Sequence, residues 1–129
     1  ITILFQPQAS LANGGITGVE ALSRWDHPVH GRLSASILLE TAASAELAVA
    51  LGRHIRARAI ATAAAWTGSL ANLRLSVNVT AADLADPDFV STLARDLAQA
   101  GMSPRRLVVE VTEEAIINDL DAASATLSL

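Results

Sequence analysis

The chain's 129 residues, 13.4 kDa mass and 51% hydrophobic content indicate one globular domain, or part of one, and exclude a disordered chain. Its formal net charge of −4 gives no basic surface for duplex nucleic acid, although one or two arginines could still bind a small anion. The absence of cysteine excludes disulfides, thiolate metal sites and a cysteine nucleophile, in agreement with a reducing cytoplasm.

The first two predicted elements form an antiparallel β-hairpin. Residues 2–9 and 16–24 both read as strands, and the turn between them, residues 13–15, has the sequence Asn-Gly-Gly, which tolerates positive φ. Residues 27–31, which contain proline and glycine, then mark a loop.

Two helices are predicted next, over residues 34–47 and 49–66. The apolar stripe of the second helix consists of Leu51, Ile55, Ala59 and Ala63. The arginines expected to form its solvated face are Arg53, Arg56 and Arg58. The longest alanine-rich stretch, residues 57–66, is interrupted by polar residues and is too short to span a membrane.

The rest of the chain alternates strands and helices. Residues 73–80 and 107–111 are predicted strands, and Asp86 with the proline after it caps a helix between them. A final helix would be capped by Asp119 or Asp121. The order β-β-α-α-β-α-β-α predicts an α/β fold with a parallel sheet and right-handed crossovers.

Three of the predicted strands carry one oxygen-bearing side chain near their ends, namely Glu20, Asn78 and Glu110. The ends of parallel strands are where α/β folds gather their chemistry, so these side chains are candidates for one shared site. Oxygen ligands of this kind suit Mg²⁺ or Mn²⁺ and not zinc or copper. Each residue also has a structural alternative: Glu20 could be a solvated rim residue, Asn78 a turn residue, and Glu110 a strand carboxylate that needs a partner when buried.

Several short motifs occur in order along the whole chain. They are Phe5-Gln6-Pro7, Gly18-Val19-Glu20-Ala21-Leu22-Ser23-Arg24-Trp25, His27-Pro28, Leu51-Gly52, Ala65-Trp66, Ser76-Val77-Asn78 and Glu110-Val111-Thr112-Glu113. In this order the motifs resemble those of the EAL domain family of bacterial cyclic di-GMP phosphodiesterases. The resemblance covers residues 1–129, which correspond to about the first half of the family's domain.

The resemblance implies a modified (β/α)8 barrel of the TIM type with an antiparallel first strand pair, of which residues 1–129 form the N-terminal part. It implies hydrolysis of cyclic di-GMP to the linear dinucleotide with Mg²⁺ or Mn²⁺. It permits a homodimer and fused signalling domains. It also implies a location in the cytoplasm or in the cytoplasmic portion of a larger signalling protein.

By motif match, the resemblance implies that the metal ligands are Glu20, Asn78 and Glu110 and that the substrate-binding residues are Gln6, Leu22 and Arg24. The planar guanidinium of Arg24 would bind a substrate phosphate. Arg24 lies four residues after Glu20, and an even offset keeps two strand residues on one face. Glu113 would join Glu20 in the catalytic set, where it would steady a neighbouring active-site loop and not bind metal.

The chain also departs from the family pattern. The paired-aspartate motif Asp-Asp-Phe-Gly, expected next, does not occur, and a chain without lysine cannot supply the family's catalytic lysine. We therefore expect a fragment truncated before the paired-aspartate motif, and we expect the 129-residue chain alone to be inactive. The smaller departures are Ala35 for Pro, Ala43 for Glu, Glu46 for Gly and Asp83 for Gln.

Two alternatives to an enzyme stay open at this point. An EAL-like module could bind cyclic di-GMP without cutting it and signal to a partner, which would give ligand binding without linear product. An interaction scaffold with no nucleotide role would instead pair its open sheet edge in a dimer.

Overall fold

The computed structural model describes residues 1–111, which form five strands and four α-helices. In chain order these are β1 (Thr2–Ala9), β2 (Ile16–His27), β3 (Gly31–Leu33), α1 (Ala35–Ser44), α2 (Ala48–Ala64), β4 (Arg74–Val79), α3 (Ala81–Ala85), α4 (Phe89–Ala100) and β5 (Leu107–Val111). The last predicted helix, with its cap at Asp119 or Asp121, lies outside the described residues. Among the helices within residues 1–111, none is both long enough and apolar enough to cross a membrane.

Four of the strands form a mixed sheet in the order β1-β2-β4-β5. Strand β1 is antiparallel to β2, whereas the pairs β2–β4 and β4–β5 are parallel, which confirms the α/β fold with an antiparallel first pair. Strand β1 has the predicted bounds, β5 begins at the predicted residue and is described to Val111, and β4 is one residue shorter than predicted at each end. Strand β2 continues to His27 because its end pairs with β3, a short strand that the sequence analysis missed.

The turn between β1 and β2 is the Asn-Gly-Gly turn that the sequence predicts. Gly14 adopts a φ of 70°, which glycine reaches without steric cost, and the N–H of Gly15 donates to Oδ1 of Asn13 at 3.0 Å. This turn sets the register of the hairpin, in which Gln6 is paired with Glu20.

The hydrophobic core lies between one face of the sheet and helices α2 and α4. Because side chains alternate along a strand, every second residue of β2 and β4 points to this face. The core residues that these two strands contribute are Val19, Ala21, Leu75 and Val77. A smaller apolar cluster around Val79, Leu84 and Phe89 continues the core beyond the end of β4.

Helix α2 differs from the prediction in the face that it buries. Ala59 and Ala63 are buried as predicted, but the other two residues of the predicted stripe are only half-buried. The residues that α2 buries are Gly52, Arg56, Ala59, Ile60 and Ala63. The prediction that Arg56 lies on a solvated face is wrong, because its side chain is 7% exposed and its Nη2 donates to Oδ1 of Asp83 at 2.9 Å.

The connection from β4 to α4 contains a short helix, α3, that the sequence analysis missed. Thr80 caps α3 with a capping box, in which its hydroxyl accepts the N–H of Asp83 and the Asp83 carboxylate accepts the N–H of Thr80. The predicted helix cap at Asp86 is wrong, because Asp86 ends α3 and its Oδ1 accepts the N–H of Asp88 at 3.0 Å. Asp88 is the N-cap residue of α4.

Candidate active site

Polar side chains from four strands share the sheet face opposite the hydrophobic core. In the strand register, Gln6 pairs with Glu20, Glu20 with Ser76, and Asn78 with Glu110. Directly paired residues point to one face, as do residues two apart on a strand, so these five side chains lie on the same side of the sheet. Gln6 and Asn78 are exposed, and Glu20 and Glu110 are half-buried. This polar face is the candidate site.

Glu20 and Asn78, two of the predicted metal ligands, are in direct contact. Nδ2 of Asn78 donates to Oε1 of Glu20 at 2.8 Å. Because a carboxylate only accepts hydrogen bonds, this contact turns the nitrogen of the amide toward Glu20. The oxygen Oδ1, the other amide atom of Asn78, is therefore the atom that this side chain could offer to a cation.

Glu110, the third predicted ligand, is the register partner of Asn78 on β5. Its Oε1 accepts a hydrogen bond from Nε2 of Gln8 at 3.1 Å, which supplies the partner that a half-buried carboxylate needs. The sequence analysis missed Gln8. The signal was available, because Gln8 lies two residues after Gln6 in a predicted strand and must share its face.

The chemistry of these three side chains fits a hard divalent cation. Glu20 and Glu110 offer carboxylate oxygens and Asn78 offers an amide oxygen, the donor types that Mg²⁺, Mn²⁺ and Ca²⁺ prefer. Within residues 1–111 no cluster of three His, Cys, Asp or Glu side chains could hold a metal, so this ligand set depends on the amide as its third donor. Without nitrogen or sulfur donors it does not suit zinc or copper.

Arg24, the predicted phosphate contact, lies four residues after Glu20 on β2, and its guanidinium binds the backbone of its own strand. Nη1 of Arg24 donates to the backbone carbonyl of Ser23 at 2.7 Å. The nearby carboxylate of Asp26 is bound by other residues: Arg32 forms an ion pair with it at 2.8 Å, and the Thr2 hydroxyl also donates to it. The hydrogen bond from Thr2, and then that from Arg32, lower the pKa of Asp26 below its ordinary value.

Leu22, a predicted substrate contact, lines a cavity of about 200 Å³ between the ends of β2 and β4 and helices α1 and α2. Asn78 lines the same cavity, so the predicted metal site and this mostly apolar space adjoin. Gln6 lies across from Glu20 on β1. Glu113 lies outside the described residues, and its role stays a prediction.

A buried ion pair holds the backbone that follows Asn78. Oδ2 of Asp83 accepts hydrogen bonds from the N–H and the hydroxyl of Thr80 at 3.0 and 2.9 Å, while its Oδ1 accepts from Arg56. The Arg56 guanidinium also lies over the ring of Phe89, 5.1 Å from its centroid. Asp83, a departure from the family pattern, therefore anchors the turn two residues beyond Asn78 to helix α2.

Comparisons with known proteins identify the class of protein that this fold and site define. The EAL domain model matches residues 1–129, and the chain belongs to the EAL domain family, which confirms the resemblance.

The bifunctional diguanylate cyclase/cyclic di-GMP phosphodiesterase MucR of Pseudomonas aeruginosa is 31% identical over 128 residues, which cover 98% of this chain and 19% of MucR. A second cyclic di-GMP phosphodiesterase of the same organism is 33% identical over 125 residues, covering 97% of this chain and 21% of that protein. The chain thus spans about a fifth of the length of the curated relatives it matches.

Solved EAL structures share the fold. The MucR phosphodiesterase in complex with cyclic di-GMP matches with a TM-score of 0.90 at 31% identity, covering 98% of this chain and 52% of that chain. BlrP1 of Klebsiella pneumoniae, in complex with calcium and cyclic di-GMP, matches with a TM-score of 0.79 at 28% identity, covering 98% of this chain and 30% of that chain. The same protein has also been solved with manganese and cyclic di-GMP. These matches confirm a TIM-barrel-like α/β fold, of which this chain is a part.

Proposed function

We propose that the polypeptide containing this chain hydrolyses cyclic di-GMP to the linear dinucleotide with a bound divalent cation, Mg²⁺ or Mn²⁺. Residues 1–129 would be the N-terminal part of its EAL domain, truncated before the paired-aspartate motif. The observation that carries the proposal is the 2.8 Å contact between Asn78 and Glu20, with Glu110 beside Asn78 in register. The MucR complex with cyclic di-GMP and the BlrP1 complexes with calcium or manganese support it.

Glu20, Asn78 and Glu110 would hold the cation from three neighbouring parallel strands. When bound, a divalent cation activates water and neutralises charge on phosphoryl oxygens. The negative charges of the two carboxylates balance the positive charge of the cation, and the neutral amide of Asn78 adds a third oxygen without further negative charge. This choice of donors limits the electrostatic repulsion of an anionic phosphodiester.

The remaining predicted residues would bind the nucleotide. Arg24 would exchange the Ser23 carbonyl for a substrate phosphate, since a phosphate is negatively charged and can accept two parallel hydrogen bonds from a guanidinium. Leu22 would provide an apolar contact at the mouth of the cavity, and Gln6 would approach the ligand from β1. Glu113 would steady an adjacent loop.

Glu20→Ala in the complete polypeptide tests the proposal. Loss of a partner that only orients a metal ligand typically costs 10–100-fold, so loss of the ligand itself should lower hydrolysis by more than about 100-fold. Linear dinucleotide formed from cyclic di-GMP, separated by chromatography, is the readout. The matched control is Glu40→Ala, because Glu40 is exposed on α1, and it should keep wild-type turnover. Wild-type turnover in Glu20→Ala would rule out this mechanism.

Calorimetry on the wild-type protein separates hydrolysis from binding alone. Binding of cyclic di-GMP with no linear product would contradict the enzyme and support the binding module. A folded, dimeric protein that binds no cyclic di-GMP would support the scaffold. Sedimentation at two concentrations tests the homodimer that the family resemblance permits, and cell fractionation tests the proposed cytoplasmic location.

A further inference from the structure

The side chain of Gln8 meets that of Glu110 over the polar face of the sheet, although their strands are not neighbours. It starts on β1, yet its Nε2 donates to Oε1 of Glu110 on β5 at 3.1 Å. Strands β2 and β4 lie between them, so on a flat sheet β1 and β5 would be about 14 Å apart at the usual strand spacing of about 4.8 Å. The direct contact therefore requires that this face be concave, so that the two long side chains meet over β2 and β4.

A glycine leaves the path of Gln8 open. Gly18 is the register partner of Gln8 on β2 and carries no side chain to stand between β1 and β4. A Cβ at Gly18 would lie 3.2 Å from Oε1 of Gln8 and 3.0 Å from the carbonyl oxygen of Arg74. Any larger residue at this position would push against the bridging amide.

Glu110 and Ser76 together determine which way the Gln8 amide faces. The Ser76 hydroxyl, on a residue that is 1% exposed, donates to Oε1 of Gln8 at 3.4 Å. The amide oxygen is thereby turned toward β4 and its nitrogen toward the carboxylate of Glu110, which can only accept. Since the amide is bound to Oε1 of Glu110, the second carboxylate oxygen, Oε2, is the one left to face a cation.

We propose that Gln8 is a positioning residue that orients the Glu110 carboxylate for the divalent cation. The inference rests on the proposed function, because it assumes that Glu110 is a metal ligand. Partners that hydrogen-bond to metal ligands fix the orientation of those ligands, and their loss typically costs 10–100-fold in metal affinity. Gln8 supplies this contact over the two strands that separate β1 from β5, and Ser76, on one of these two strands, supports Gln8.

The test uses Gln8→Met in the complete polypeptide, because methionine keeps the length of the side chain and loses both hydrogen bonds. Mn²⁺ alone is the probe, and its binding is followed by the electron paramagnetic resonance signal of the free ion. We expect affinity for Mn²⁺ to fall by about 10–100-fold. At saturating Mn²⁺, the KM for cyclic di-GMP should stay within about twofold of wild type, because Gln8 acts on the metal ligand. The control is Gln99→Met, since Gln99 is exposed on α4.

A second variant keeps the test decisive if Gln8→Met lowers the amount of folded protein. Ser76→Ala removes only the hydroxyl that orients the Gln8 amide, and it should weaken Mn²⁺ binding by about 2- to 10-fold, the worth of one neutral hydrogen bond. Unchanged Mn²⁺ affinity in folded Gln8→Met, or in Ser76→Ala, overturns the role of Gln8. A wild-type protein that binds no Mn²⁺ overturns both the metal site and Gln8. If the wild type binds Mn²⁺ but does not hydrolyse cyclic di-GMP, and Gln8→Met weakens Mn²⁺ binding, only the proposed enzymatic activity is overturned.

Discussion

Asp83→Ala is expected to destabilise the domain by about 4 kcal/mol, although Asp83 is not among the predicted ligands. Arg56 and Asp83 are 5% and 1% exposed, so solvent does not screen their ion pair. Removing one partner of a buried pair costs about 3–5 kcal/mol. Within residues 1–111, Nη1 of Arg56 is a buried donor that lacks a partner. The pair is therefore less well satisfied, and we expect its loss to cost an amount near the lower end of that range. Loss of the Thr80 capping box adds about 1 kcal/mol.

A double-mutant cycle separates the ion pair from the cap. Arg56→Met leaves the Asp83 carboxylate buried with only its hydrogen bonds to Thr80, so it too should cost about 3 kcal/mol. In the double variant no unpaired charge remains, and most of the expected loss of about 1–2 kcal/mol comes from the cap. The loss in the double variant should therefore be well below the sum of the two single losses.

Urea denaturation of the complete polypeptide, followed by far-UV circular dichroism, measures these losses. Asp88→Ala is the matched control, because Asp88 also starts a helix but makes no capping hydrogen bond with its side chain. It should change the free energy of unfolding by less than about 0.5 kcal/mol. Additive losses in the cycle, or a loss for Asp83→Ala no larger than for the control, would refute the reasoning.

Two further predictions concern Glu46, which has a glycine-like backbone conformation, and Gly18. Glu46 has a φ of 57° at the end of α1, where the family favours glycine, so Glu46→Gly should raise the free energy of unfolding by about 0.5–1 kcal/mol in the same denaturation assay. A lower midpoint in Glu46→Gly would contradict this account. Gly18→Ala places a methyl group 3.2 Å from Oε1 of Gln8, and it should cost about 1–3 kcal/mol and also weaken Mn²⁺ binding. Wild-type stability and affinity in the Gly18→Ala variant would show that the path of Gln8 needs no glycine.

The sequence predicted the strands and helices whose ends are marked by residues close by in the chain. Strand β1 begins and ends where predicted, and β5 begins where predicted, because the apolar strand residues are bounded by turn-forming residues. Helix α3 and strand β3 have five and three residues and depend on the Thr80 cap and on pairing with β2, so their sequences carry little signal of their own. The cap of α4 was placed two residues early because Asp86 closes a turn with Asp88 instead.

The sequence also predicted the candidate site better than the residues that support it. The predicted ligands stand in motifs at strand ends, and topology brings two of them, Glu20 and Asn78, into contact. Gln8 and Arg56 depend on partners more than 20 residues away, and a long polar side chain in a strand or helix normally reads as solvated. The strand pattern places Gln8 on the same face as Gln6, but the contacts that Gln8 and Arg56 make follow from the register of the sheet and the packing of α2, which a single sequence does not contain.

The alternation of side chains along β4 links the buried pair to the site. Residues Ser76 and Asn78 point to the polar face, and Leu75, Val77 and Val79 point to the core. A shift of β4 by one residue would therefore exchange Asn78 for Val77 on the polar face and remove a predicted ligand. The pair between Arg56 and Asp83 opposes such a shift, because it ties the turn directly after β4 to α2. Variants that break the pair should consequently weaken Mn²⁺ binding as well as stability, although neither residue contacts the predicted ligands.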